Sequence, residues 1–184
     1  MHLMLDLETL GSNSNAAILS IGAVAFNPRV KNTYEDLNQN PYIFYRTICI
    51  ESAMRYGRAD ASTIQWWMNQ SDNAKKAAFN GSYELPQALD DFAEFCKKME
   101  ITRIWGNGAT FDNVIIRNAW DRVSQLKQVA PEFPIPFWGD ECYRTIKELV
   151  PQVKIVRYGT YHNALDDAIS QALHLQQVME AIKS

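Results

Sequence analysis

Two carboxylates, two residues apart inside an apolar strand, constrain this chain more than any other feature. In Leu3-Met4-Leu5-Asp6-Leu7-Glu8-Thr9-Leu10-Gly11 side chains alternate along an extended backbone. Leu3, Leu5 and Leu7 point one way; Met4, Asp6 and Glu8 point the other. A strand this apolar reads as a buried central strand. Carboxylates on one face of such a strand are costly unless positive charge sits between them. A divalent cation would supply that charge, because hard cations take carboxylate oxygens. The plainer alternative is that Asp6 and Glu8 end the strand and face water.

The remaining sequence frames that strand. A chain of 184 residues suits one domain, 1–184, with a sizeable core. Its 47% hydrophobic and 21% charged content is ordinary for a globular protein. A net charge of -3 is not the footprint of a protein that coats long duplex DNA, yet it is compatible with an enzyme that handles a few phosphates at an end. No apolar run is long enough to span a bilayer, so no membrane partner is expected. The N-terminus lacks the basic-then-apolar pattern of a signal peptide. Cys49, Cys96 and Cys142 are scattered, which suggests reduced thiols and a cytoplasmic setting.

Ile18 to Phe26 reads as a second strand and Tyr42 to Ile50 as a third, which together suggest an antiparallel meander. Ser62 or Thr63 can cap a helix carrying Ile64, Trp66, Trp67 and Met68. Adjacent tryptophans on a helix face different directions, so one is expected in the core and the other partly exposed. A homodimer contact or a base-stacking platform would each explain an exposed ring. Ser71 or Asp72 can cap the next helix, and Leu85 to Met99 has helical spacing. Arg103-Ile104-Trp105 reads as a short strand entering Gly106-Asn107-Gly108, after which Asp112 opens an apolar helix. Phe137-Trp138 is expected as a last edge strand and Cys142 to Val150 as a short helix. A loop from Lys154 to Tyr161 precedes a final helix from about Asn163 to Ile182. This alternation argues an α/β domain with a mixed sheet.

Taken singly, the polar residues are ordinary. Asp112 can be an N-cap, His162 a solvated loop residue, and Asp167 a first-turn acid favoured by the helix dipole. Taken together, their order and spacing resemble the DEDDh (DnaQ-like) 3′-5′ exonucleases. The segments that carry the resemblance are Asp6-Leu7-Glu8-Thr9-Leu10-Gly11, Asn107-Gly108-Ala109-Thr110-Phe111-Asp112 and His162-Asn163-Ala164-Leu165-Asp166-Asp167. They cover nearly the whole chain. Thr63-Ile64-Gln65-Trp66-Trp67-Met68-Asn69-Gln70-Ser71, followed by Ala74, is similar to the small phage exonucleases of the DexA kind and their bacterial relatives. In many members of the family an Asn lies closer to the Phe-Asp pair; here Gly108 takes that place and Asn107 stands one step earlier. Asp166 and Asp167 both lie at edges of the apolar stripe of the last helix, and only the family spacing selects Asp167.

The resemblance implies an RNase H-like mixed β-sheet flanked by helices: three antiparallel strands, then parallel ones. It also implies a 3′-5′ exonuclease that releases 5′-mononucleotides from single-stranded DNA and/or RNA. The DexA-like segment tilts the expectation slightly toward DNA. A non-catalytic nucleic-acid-binding module with the same fold is the alternative, but binding alone does not need four clustered carboxylates that repel phosphate. Two divalent ions roughly 3.5–4 Å apart can activate water, neutralise phosphate and stabilise the leaving oxygen. Asp6, Glu8, Asp112 and Asp167 are the expected ligands, with Mg²⁺ the preferred ion and Mn²⁺ a substitute. His162 is the expected base, since an unperturbed histidine titrates near pH ~6.5, and Glu8 is counted with it as catalytic. Thr9, Leu10 and Gly11 are expected at the terminal nucleotide, with Asn107, Phe111 and Arg157 as further substrate contacts. Phe111 could equally be core, and Lys154 and Arg157 could equally be solvated surface charges.

Overall fold

A computed structural model describes residues 1–108, 110–129 and 131–183. Ala109, within the second motif, lies outside them. The first strand, β1 (His2–Thr9), leads to β2 (Ile18–Phe26), a one-turn helix α1 (Tyr34–Leu37) and β3 (Ile43–Thr47). Helices α2 (Ile50–Tyr56), α3 (Ala61–Met68), α4 (Asp72–Phe79) and α5 (Leu85–Lys98) follow. The chain then forms β4 (Arg103–Gly106), α6 (Asp112–Leu126), a 3₁₀ turn at Phe137–Gly139, β5 (Asp140–Cys142), α7 (Tyr143–Glu148) and α8 (Ala164–Lys183).

Among the described residues the strands form one sheet in the order β3-β2-β1-β4-β5, so β1 is central. The first three strands pair antiparallel, while β4 and β5 add in parallel. This is the mixed RNase H-like arrangement expected of the motifs. The alternation in β1 explains the layering. Leu3, Leu5 and Leu7 are buried with Trp67, Leu89, Phe92, Ile115 and Ile116 on one face. Met4 is buried on the other with Trp105, Tyr143, Ala168, Ile169 and Ala172. Each large apolar side chain so buried contributes about 1.5–3 kcal/mol. No described helix is long and apolar enough to cross a membrane.

Four local expectations are corrected. The third strand ends at Thr47 rather than Ile50, because the Ile48 N–H goes to Leu19 O and the Cys49 N–H to Tyr83 O, which turns the chain into α2. The residue before α3 is Asp60, not Ser62 or Thr63, and its carboxylate binds the Ser12 N–H and the Asn13 amide instead of its own helix. Asp112 opens α6 as expected, but as the first residue inside the helix and not as its N-cap, which is Phe111. Phe137 and Trp138 lie in the 3₁₀ turn, 82% and 56% exposed, and the edge strand is the polar Asp140–Cys142, paired through Trp105 with Glu141. Apolar patterning cannot reveal an edge strand with two acidic residues out of three.

One glycine sets the distance between the sheet and the last helix. Gly22 lies opposite Asp6 in the β1–β2 ladder. A Cβ added there would lie 2.1 Å from the Ala164 carbonyl carbon at the start of α8. The first turn of α8 therefore rests directly on the β2 backbone, close to Asp6. Gly22→Ala should destabilise the protein by at least the roughly 1–3 kcal/mol typical of overpacking. An unchanged urea midpoint would refute this packing argument.

Candidate active site

The site is assembled by three rigid elements and one loop. Asp6 and Glu8 project from the face of β1 that α8 covers. Asp112 stands at the start of α6, and its carboxylate accepts from two backbone N–H groups, Leu7 at Oδ1 and Asn107 at Oδ2, each at 3.1 Å. Asp167 sits in the first turn of α8. Its Oδ2 accepts from the His162 N–H at 3.1 Å, and its Oδ1 is paired with the Arg157 guanidinium. Ligand atoms of Glu8, His162 and Asp167 all lie within 4.8 Å of one another. These residues line a cavity of about 340 Å³ together with Asp6 and Asp112.

Electrostatics follow from this crowding. Burial, then the charges of Asp112, Glu8 and Asp167, push the Asp6 carboxyl well above the usual range. Burial, Asp167 and Asp112 push Glu8 up to about 8. Burial raises Asp112 to about 6 despite its two backbone donors and nearby Arg144. Burial also raises Asp167, against the opposing pull of Arg157 and His162. Like charges gathered away from water favour protonation or a cation. An all-carboxylate oxygen set of this kind fits Mg²⁺ or Mn²⁺.

His162 has a backbone φ of 61°, in the left-handed region that side-chain-bearing residues adopt sparingly. Its ring meets Trp66 and Tyr161 edge to face, with centroids 4.8 and 4.7 Å away. Burial lowers its pKa, with Asp167 pulling the other way and Arg157 adding to the effect of burial, which favours the neutral imidazole.

The geometry separates the two adjacent acids of α8. Asp167 lines the cavity; Asp166 turns away and accepts from the Thr160 N–H at 2.7 Å, which pins the loop before His162. Trp67 is 2% exposed and donates from its indole to Thr9 O at 2.9 Å, whereas Trp66 is 41% exposed and lines the cavity. Thr9, Gly11, Asn107, Phe111 and Arg157 also line it. A Cβ at Gly11 would crowd Asp60 and the Arg58 carbonyl, at 3.0 and 3.1 Å, so glycine lets this loop close. Leu10 is a correction: it is 5% exposed within the core and does not line the cavity. The ladder register shifts between Glu8 and Thr9, and such an irregularity re-aims the side chains that follow it.

Two residues were not singled out from sequence. Gln171 lies 2% exposed in α8 and donates to Asp6 Oδ1 at 2.8 Å. Its place one turn after Asp167 is the signal that could have found it. Arg144 lines the cavity and donates to Asn107 O at 2.7 Å; nothing in its local pattern marks it.

Comparison with known proteins agrees with this geometry. A family model for a 3′-5′ exoribonuclease Rv2179c-like domain matches residues 1–179. An exodeoxyribonuclease of Enterobacteria phage T4 is 26% identical, over 77% of this chain and 68% of that protein. The nuclease domain of 3′hExo, a DEDDh family member bound to rAMP, superposes with a TM-score of 0.60 at 13% identity, covering 97% of this chain and 91% of that one. S. pombe Pop2p in its Mg²⁺- and Mn²⁺-bound form gives 0.57 at 13% identity, covering 96% and 82%. At that identity the two structures speak for the shared fold alone.

The raised Glu8 value has a testable sign. A carboxyl whose folded pKa exceeds its unfolded one binds more protons when folded, so stability falls as pH rises between the two values. In EDTA, the Glu8 contribution should be lost from its ordinary 4.5 up to about pH 8. Glu8→Gln should flatten that part of the melting-temperature profile, and Mn²⁺ should raise the wild-type melting temperature more at pH 8 than at pH 5. A wild-type profile in EDTA no steeper than that of Glu8→Gln would contradict the crowding described above.

Proposed function

The chain belongs to the Rv2179c-like 3′-5′ exoribonuclease domain family; from that premise we propose that it is a DEDDh-type 3′-5′ exonuclease that trims single-stranded 3′ ends, DNA and/or RNA, to 5′-mononucleotides. Residues 1–184 act as one exonuclease domain. The observation that carries the reading is the convergence of Asp6, Glu8, Asp112, Asp167 and His162 on one cavity.

In this reading the four carboxylates hold two divalent ions, Mg²⁺ or in its place Mn²⁺; the Mg²⁺- and Mn²⁺-bound form of Pop2p supports the choice. Divalent ions held there would supply positive charge to the scissile phosphate and lower the pKa of a nearby water. The chain supplies the rest. Thr9, Gly11 and Phe111 seat the terminal nucleotide, with Leu10 behind them in the core. Trp66, Tyr161 and His162 line the same cavity as the acids, and an unpaired terminal nucleotide is what reaches in past them. His162 takes the proton of the attacking water on a ring nitrogen. Its lowered pKa keeps that nitrogen free at neutral pH, and the edges of Trp66 and Tyr161 hold its ring plane. Arg157, beside Asp167, presents a cation to the charge that develops on the phosphoryl oxygens. The penultimate sugar leaves as a 3′-hydroxyl and the terminal nucleotide keeps its 5′-phosphate.

The family is described as exoribonuclease and the phage relative as exodeoxyribonuclease, so both sugars belong in the test. Matched RNA and DNA strands labelled at the 5′ end, single-stranded or with a 3′ overhang, should yield ladders that shorten from the 3′ end and stall at the duplex junction. Immediate release of labelled mononucleotide would reverse the polarity, and internal cuts would make the protein an endonuclease. His162→Ala should slow hydrolysis by roughly 10²–10⁴-fold while calorimetric Mn²⁺ binding persists. Loss of Mn²⁺ binding in that variant would make His162 a ligand instead of the base.

A further inference from the structure

A second cavity, of about 280 Å³, adjoins the first: Asn107, Arg157 and Gln171 line both. Its cations come from two elements. Lys147 projects from α7, and Lys154 and Arg157 from the loop before α8. Arg144 stands one turn before Lys147 on α7, so the two share a helix face. Both reach the same residue: Arg144 donates to Asn107 O at 2.7 Å and Lys147 to Asn107 Oδ1 at 3.4 Å. Among the described residues Arg144, Lys147 and Lys154 form no ion pair with a carboxylate. The single acidic residue lining the second cavity is Glu148, at its exposed rim. Burial, with Arg144 and Arg157 nearby, holds Lys147 below the usual lysine range. A chain of net charge -3 thus gathers four cations within fourteen residues, 144–157, beside a cluster of acids.

Arg157 is already paired with Asp167, whereas Arg144, Lys147 and Lys154 are not, and their mutual repulsion favours an anion that completes the set. Asn107 joins it to the acidic site, so an anion that continues from one cavity into the other is the natural occupant. Resting on the exonuclease reading above, we infer that Arg144, Lys147 and Lys154 form a track for the phosphodiester backbone of the strand immediately 5′ of the scissile bond. The site then has opposite polarities along its length. Its acids repel a phosphate until cations are bound, whereas the track attracts the next phosphates regardless. Pro151, Val153 and Ile155 give the second cavity an apolar wall for sugars, and the bases need not be read. The track therefore selects length and charge, not sequence.

The test is fluorescence anisotropy with 5′-labelled octanucleotides and dinucleotides whose linkages resist hydrolysis, in Mg²⁺, over a salt series. The octanucleotide should bind more tightly than the dinucleotide. Its log-affinity should fall with log salt by about 0.7 for each phosphate contacted, and Lys147→Gln and Lys154→Glu should each reduce that slope by about 0.7. Lys154 is exposed, so its charge reversal leaves folding aside as an explanation. An octanucleotide with uncharged methylphosphonate linkages should lose its advantage over the dinucleotide. Equal binding of both lengths, or slopes unchanged in both variants, would overturn the track. A retained advantage for the methylphosphonate strand would overturn it in favour of base stacking. The readout is independent of cleavage. A protein that bound by length and charge yet cut neither sugar would refute the exonuclease reading and keep the track; one that cut dinucleotides without any length preference would do the reverse.

Discussion

Everything in this structure answers to the repulsion among four carboxylates at one end of β1. Charges brought together away from water cost several kcal/mol, so they stay together only where the surroundings impose their positions and offset that cost. Here the surroundings impose them. β1 is paired with β2 through Glu8, with β4 from His2 to Met4, and is packed on both faces, which limits how far Asp6 and Glu8 can move apart by bending the strand. Gln171 holds one oxygen of Asp6, and Arg157 shields Asp167. The core on either face is thus the opposing force that keeps an unfavourable charge arrangement in place.

The loop that carries Arg157 and His162 is anchored almost wholly to α8. The Tyr158 N–H donates to Ser170 Oγ at 3.0 Å and the Thr160 N–H to Asp166 Oδ2. Further back, buried His174 contacts Val153 O through Nε2 at 3.0 Å and Tyr143 Oη through Nδ1 at 2.7 Å. A carbonyl can only accept, so Nε2 carries the proton and Nδ1 accepts from the tyrosine. The polar residues buried along α8 are therefore the fastenings of the loop. They also explain why the helix lacks a clean apolar stripe although much of it is buried.

How far the sequence could be read followed from what each feature depends on. β1 and β2 were legible because alternation and long apolar runs are local signals; β2 falls on the expected residues, Ile18 to Phe26. Asp6, Glu8, Asp112, His162 and Asp167 were legible through order and spacing, and the fold brings them together. Asp60, Arg144 and Gln171 were not, because each acts on a partner far away in the chain: Asp60 on the loop at Ser12, Arg144 on Asn107, Gln171 on Asp6. Leu10 was misplaced for a different reason. It lies just past the end of β1, where strand alternation no longer dictates which way a side chain points, and it turns into the core.

Asp112 has a consequence for how variants of this protein are interpreted. Its two oxygens are occupied by backbone donors from separate segments, Leu7 in β1 and Asn107 after β4. It acts as a clasp across the sheet as well as a member of the acidic cluster. Removing it leaves the buried Leu7 N–H and the partly buried Asn107 N–H without that acceptor and unties the element that carries Asp6 from the one that carries Asn107. An inactive Asp112 variant would therefore confound lost chemistry with a loosened scaffold. Asp6 accepts from the Gln171 side chain and, among the described residues, from no backbone N–H, so it is the cleaner position for a catalytically silent but intact protein.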